Sequence, residues 1–126
     1  TLCENRLPAD ADIAEWDSLC AAGDMPVVEI PTGVGFCMAV RRDCLDQIGA
    51  FDHERFGRGY GEENDFCLRA SAAGWRHVAA TGLFVWHRGG TSFGDERAML
   101  MEAAQATLEA LHPGYAAMVG RFIVED

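Results

Sequence analysis

At 126 residues, 49% of them hydrophobic, the chain has the length of one domain or of a piece of a larger one, with enough apolar side chains for a sizeable core. It has no lysine, and its net charge of -10 excludes nucleic acid as the main partner; a nucleoside diphosphate needs a cation or arginines such as Arg41 with Arg42, Arg88 or Arg97 to approach. No apolar run is long enough to span a membrane, and the opening "TLCENRLPAD" lacks both regions of a signal peptide, so it reads as an internal cut.

In "DADIAEWDSLCAAG", Ile13, Trp16 and Cys20 recur at helical spacing, and Gly23 is placed to end the segment. "PVVEIP" predicts a brief strand over Val27 to Ile30. "GVGFCMAVRR" predicts a second over Gly35 to Val40, near-continuously apolar as in a strand buried on both faces. "RDCLDQIGAFD" predicts a short helix with Asp43 as N-cap, Leu45 and Ile48 facing inward and Gly49 closing it; "FDHERFGRGYG" reads as a loop. From Glu62 to Ala73 the pattern is helical, with Phe66, Ala70 and Ala73 on one face until Gly74. "WRHVAA" and "LFVWH" supply further strand candidates, the latter over Leu83 to Trp86. Asp95 is placed to cap a long helix with a stripe of Leu100, Ala104, Leu108 and Leu111, stopped by Pro113 and Gly114. A final amphipathic helix carries Tyr115, Met118, Val119, Phe122 and Ile123, and the Met and aromatic positions of both helices belong in the core. The fold class is α/β, with no repeat or linker to divide it.

The cysteines, Cys3, Cys20, Cys37, Cys44 and Cys67, are odd in number and form no C-x-x-C pair, which points to reduced thiols in a cytosolic compartment. Cys37 and Cys67 sit in apolar patterns, as small core residues do.

Chemistry concentrates in "GRGYGEENDFCLRASAAGWRH". Glu62, Glu63 and Asp65 fall in the first turn of a helix, where a carboxylate can accept free backbone N–H groups and oppose the macrodipole. Capping does not need three carboxylates, and crowding them favours a proton-accepting role for one. "VWHRGG" places His87 after an apolar run and before a flexible Gly pair, in position to point a ring nitrogen into a cleft. His53, His77 and His112 sit in loop, strand-edge and helix-end contexts. H-E-x-x-H, Walker and G-x-S-x-G motifs do not occur. Paired carboxylates also serve glycoside hydrolysis, but across a bond rather than from one helical turn. A third reading is a carbohydrate- or protein-binding module whose acidic cluster only caps a helix.

Three ordered blocks, "PTGVGFCMAVRRDCLDQIGAFD", "GRGYGEENDFCLRASAAGW" and "FVWHRGGTSFG", together resemble the C-terminal half of a family-2 glycosyltransferase domain of GT-A fold, from about Val27 to Gly94. The resemblance implies part of a Rossmann-like mixed sheet, with residues 1–126 as the acceptor-side portion and the nucleotide-binding half missing. It implies an inverting transfer of sugar from a nucleotide-sugar donor to an acceptor hydroxyl, as in surface polysaccharide synthesis, at the inner membrane face in the complete protein. Gly33, Gly35 and Arg88 would lie near the donor, and Glu62 and Tyr60 near the acceptor. The family's catalytic base falls at Glu63, a Glu where the family has Asp, which leaves the base between Glu63 and Asp65. His87 would help hold a divalent cation, Mg2+ or Mn2+, shared with an Asp-x-Asp motif; the "DAD" at Asp10 to Asp12 precedes a helix and does not match that motif's context. Glu63 and His87 are expected to face one cleft, and the piece alone is expected to be inactive and to self-associate through its uncovered apolar surface.

Overall fold

The computed structural model describes residues 7–23, 26–57, 59–87 and 96–125. They form, in order, α1 (Ile13–Ala22), β1 (Val28–Ile30), α2 (Arg42–Ile48), α3 (His53–Phe56), α4 (Glu62–Ala72), β2 (His77–Ala79), α5 (Arg97–Leu111) and α6 (Tyr115–Glu125). The class is α/β, and the sheet among the described residues is a single antiparallel pair, with Val28 opposite Ala79 and Ile30 opposite His77.

The centre of the fold is α4. An 11-residue helix is marginal in water by itself, so its stability must come from the face it buries. That face is Phe66, Cys67 and Ala70, all almost fully buried. Phe66 and Ala70 join Cys44 of α2 in one cluster, flanked by Val40, Leu45, Ile48 and Trp75. A side chain of this size contributes about 1.5–3 kcal/mol on burial. On the other side, Phe56 of α3 meets Ala104 and Leu108 of α5, with Tyr60, Leu68 and Tyr115 packed around them. Gly61 lies against this second cluster: at φ 89° it is in the left-handed region, and a Cβ there would come within 3.0 Å of the Phe56 ring and 3.2 Å of Ala104 Cβ. Only glycine allows the chain to enter α4 so close to α3 and α5.

Polar contacts fix the same junction. Arg69 spans it, with Nε donating to Asp65 Oδ2 at 2.8 Å and its two terminal nitrogens donating to the carbonyls of Ile48 and Ala50 at 2.9 and 3.0 Å. It thereby satisfies carbonyls at the end of α2, which a helix C-terminus leaves without intrahelical donors. Trp75 Nε1 donates to Gln47 Oε1 at 2.9 Å. At the α5–α6 corner, Glu109 accepts from the backbone N–H groups of Gly114 and Ala116 at 2.7 and 3.2 Å.

The structure departs from the sequence expectations where an apolar run has no neighbour. Residues 35–40 and 83–86 are irregular rather than strands. Val34, Phe36, Leu83, Val85 and Trp86 stand exposed, and a both-faces-buried strand requires a paired and covered backbone that these segments do not receive among the described residues. Cys37, expected in the core, is exposed, whereas Cys67 is buried. Met99 and Met101 are exposed on α5 although Ala104 and Leu108 are buried, because only one stripe of that helix meets a partner. Asp43 is not the N-cap of α2: Arg41 holds that position, and Asp43 accepts from Arg41 Nε and from Cys44 N inside the first turn. The "DHERF" loop contains α3, capped by Asp52 accepting from Arg55 N. Asp95 lies outside the described residues.

Between the sheet and the helices lies a cavity of about 240 Å³, lined mainly by apolar groups that include Ile30, Met38, Val40, Phe66 and Trp75, with Arg41 and Arg76 also on its wall. Both arginines are largely exposed and bound to carboxylates, Arg41 to Asp43 and Arg76 to Glu29.

Candidate active site at the start of α4

The acidic triplet occupies the first turn of α4, as the sequence implies, but it does not cap the helix: Gly61 holds the N-cap position and no side-chain bond closes it. The three carboxylates have three different environments. Asp65 is 3% exposed and fully engaged, one oxygen accepting from Arg69 and the other 2.7 Å from His112 Nε2. Glu63 is half-buried, and its side chain lies over Gly35, where a Cβ would meet Glu63 Cβ, Cγ and Cδ at 3.7 Å. Glu62 is half-buried too, and its Oε2 is buried without a hydrogen-bond partner among the described residues. A buried carboxylate oxygen without a donor is costly, so this atom calls for a donor that the described residues do not supply.

The glycine loop forms the opposite wall. Gly33 N donates to Cys67 Sγ at 3.4 Å, and Met38 Sδ sits 3.0 Å from where a Gly33 Cβ would be, so a side chain at this position would have to displace Met38. Burial pushes the Cys67 thiol up, with the charge of Glu63 adding to the shift and the Gly33 N–H opposing it. Cys67 is therefore a neutral thiol tying the loop to α4, and carries no nucleophilic role. Phe36, next in chain to Gly35, stacks on the exposed His87 ring with centroids 4.6 Å apart and an interplanar angle of 12°. Glu63 and His87 thus abut consecutive residues of one loop. Tyr60 is half-buried beside the Phe56 cluster, and Arg88 lies outside the described residues.

Sequence reasoning passed over Asn64, Thr32 and Arg69, read Tyr115 only as a core position, and treated His112 as an ordinary helix-end residue. Asn64 Nδ2 donates both to Thr32 Oγ1 at 3.0 Å and to Tyr115 OH at 2.8 Å. Those partners are 32 and 51 residues away, and no short-range pattern carries such a signal; the only available hint was a polar residue between acidic ones on a turn already suspected of function.

The residues present do not by themselves fit a divalent cation. Among the described residues no three His, Cys, Asp or Glu side chains are grouped to hold a metal, and His87 offers a single imidazole stacked on a phenyl ring. No helix among the described residues is long and apolar enough to cross a membrane.

Comparison with known proteins shows the family. Residues 6–105 match the family model described as glycosyltransferase like family 2, and the chain belongs to that family. It is 30% identical over 116 residues to uncharacterized proteins of Mycobacterium bovis and Mycobacterium tuberculosis, an alignment that covers 76% of this chain. The chain spans 44% of the length of those relatives. No solved structure matches it.

Proposed function

We propose that this chain is the acceptor-side portion of an inverting glycosyltransferase that moves a sugar from a nucleotide-sugar donor to an acceptor hydroxyl. The observation that carries the reading is the acidic turn that opens α4, where Glu63 lies against Gly35 of the glycine loop with Glu62 beside it, in a chain that matches the family-2 model over residues 6–105. In the reaction, one acceptor hydroxyl donates to Glu62 and is held in place. Glu63 accepts the proton of the attacking hydroxyl as its oxygen bonds to the anomeric carbon from the face opposite the leaving group. The bond from that carbon to the diphosphate breaks, the nucleoside diphosphate leaves with the electron pair, and the configuration inverts. Between Glu63 and Asp65 the geometry favours Glu63 as base, since both oxygens of Asp65 are committed to Arg69 and His112.

Gly33 and Gly35 let the donor approach the backbone of the loop, Tyr60 contributes to the acceptor side and Arg88 clamps the diphosphate. A divalent cation, Mg2+ or Mn2+, would take His87 as one ligand and its other ligands from elsewhere, and would supply Lewis-acid stabilisation of the leaving phosphate. The product belongs to surface polysaccharide or glycoconjugate synthesis, at the cytoplasmic face of the membrane. The 44% share of the relatives' length supports the view that the remaining donor machinery lies outside these residues, and that these residues alone are inactive.

The test measures nucleoside diphosphate release by the full-length protein from UDP-glucose, UDP-galactose, UDP-N-acetylglucosamine, GDP-mannose and dTDP-rhamnose, with methyl glycosides as acceptors. Glu63→Gln removes proton acceptance and retains size, so turnover should fall by about 10² to 10⁴ while donor affinity barely changes. Undiminished release by this variant would remove Glu63 from the chemistry, and absence of release from every donor by the wild type would overturn the reading.

A further inference from the structure

Directly beside Glu63, one amide nitrogen joins three remote segments. Both N–H groups of Asn64 Nδ2 are used, one toward Thr32 Oγ1 at the root of the glycine loop and one toward Tyr115 OH in the first turn of α6. The two hydroxyls lie 3.5 Å apart, closing the triangle. All three residues are half-buried, where such bonds are less exposed to competition from water than at the surface.

The Tyr115 side is firmly held. Its ring packs against the Phe56, Ala104 and Leu108 cluster, and the turn before it is braced by Glu109 accepting from Gly114 N and Ala116 N. His112, at the other end of the same turn, holds Asp65 at 2.7 Å. Adjacent residues of α4, Asn64 and Asp65, are therefore tied to the α5–α6 corner at Tyr115 and His112. That corner lies beyond residues 6–105, the segment that matches the family model.

We propose that the α5–α6 corner is a positioning device, in which Tyr115, acting through Asn64 and Thr32, sets the separation between the glycine loop and the Glu63 turn. A Cβ at Gly35 would lie 3.7 Å from the Glu63 side chain, leaving room for about one atom between them, so a small shift of Thr32 changes where a donor resting on the loop would lie relative to the base. Misplacement on the scale of 1 Å can lower a rate by about 10²-fold, and loss of one link should produce a part of that. The catalytic half of this statement rests on the proposed function above; the coupling of loop to corner does not.

The experiment is backbone hydrogen exchange on the full-length protein, alongside the release assay. The reporter is Gly33 N–H, which is bonded to Cys67 Sγ and sits next to Thr32. Tyr115→Phe keeps the packed ring and removes only the hydroxyl; Thr32→Val removes the other hydroxyl at constant shape; Thr32→Ser retains it. Tyr115→Phe and Thr32→Val should each speed exchange at residues 33–37 by about tenfold, while Thr32→Ser stays within about twofold of wild type and α5 amides are unchanged in all three. With whichever donor releases nucleoside diphosphate, kcat should drop about tenfold in the first two variants with KM within about twofold, and Thr32→Ser should restore it. Wild-type exchange at Gly33 in both hydroxyl-deleted variants overturns the proposal. So does equal acceleration throughout α5 and α6, which would mark a merely structural hydroxyl. If the wild type releases no nucleoside diphosphate from any donor, the glycosyltransferase reading falls while the exchange result still decides the coupling.

Discussion

The junction of α4 with α2, α5 and α6 and the region formed by β1, β2 and residues 31–40 and 80–87 are built in opposite ways. At the junction the buried carboxylate of Asp65, the guanidinium of Arg69 and the amide of Asn64 all have partners, and the packed side chains include the most buried in the chain. In the sheet region, Val28, Val34, Phe36, Val78, Leu83, Val85 and Trp86 stand in solvent, and a cavity of about 240 Å³ separates the sheet from the helices. The junction packs the most buried side chains of the described residues, whereas the sheet region presents apolar surface left uncovered among them. The candidate site lies along the boundary: Glu62 and Glu63 stand on α4, and the loop at Gly35 over which Glu63 lies belongs to the open region.

The largest effect should come from opening the junction. Arg69→Met keeps much of the stem but removes the charge beside Asp65 and the donors to Ile48 and Ala50, leaving a buried carboxylate with His112 alone. Removing one member of a buried pair costs about 3–5 kcal/mol, so chemical denaturation should show a loss in that range. A loss below about 1 kcal/mol would mean that the junction is not held by its polar wiring.

A smaller effect should appear in the open region. The chain on its own, 13.7 kDa by sequence, should associate through its exposed apolar surface, with a mass by light scattering that rises with concentration. A clean monomer across the concentration range would show that the exposed side chains do not form an adhesive patch.

The smallest effect concerns the brace of the α5–α6 corner. The N–H groups of Gly114 and Ala116 hold the Glu109 carboxyl below the usual carboxylate range. Its folded value is depressed, so its contribution is fully present above the unfolded value of 4.5 and is lost as pH falls below that, through the folded value. Glu109→Gln should therefore lower the thermal midpoint slightly near about pH 7, and the two proteins should converge near about pH 3. A gap that persists in acid would assign the difference to something other than this carboxylate.

The relation between sequence and structure follows the same division. The helices α1, α2, α4, α5 and α6 were legible because each carries an apolar stripe at helical spacing and a stop such as Gly23, Gly49, Gly74 or Pro113 within its own few residues. The strand at Val28–Ile30 was legible from its bracketing prolines. The runs at 35–40 and 83–86 were misread because their apolar character reports only that they favour cover, and whether cover exists depends on neighbours that local pattern does not encode.

By itself the sequence determined that an acidic turn opens a helix behind a glycine-rich loop, that a histidine follows an apolar run, and that these motifs in this order resemble a glycosyltransferase of family 2. Composition, spacing and chemical type suffice for that, since each motif is a property of a short stretch. Only the tertiary structure separated the three carboxylates: Asp65 is taken by Arg69 and His112, Glu63 lies on Gly35, and Glu62 keeps an oxygen without a donor among the described residues. It also brought Tyr115 and Thr32 to Asn64 across 51 and 32 residues of chain. The physical reason is that a carboxylate's role depends on which donors reach it, and donors from distant segments arrive only when packing of the apolar faces has fixed where each helix lies.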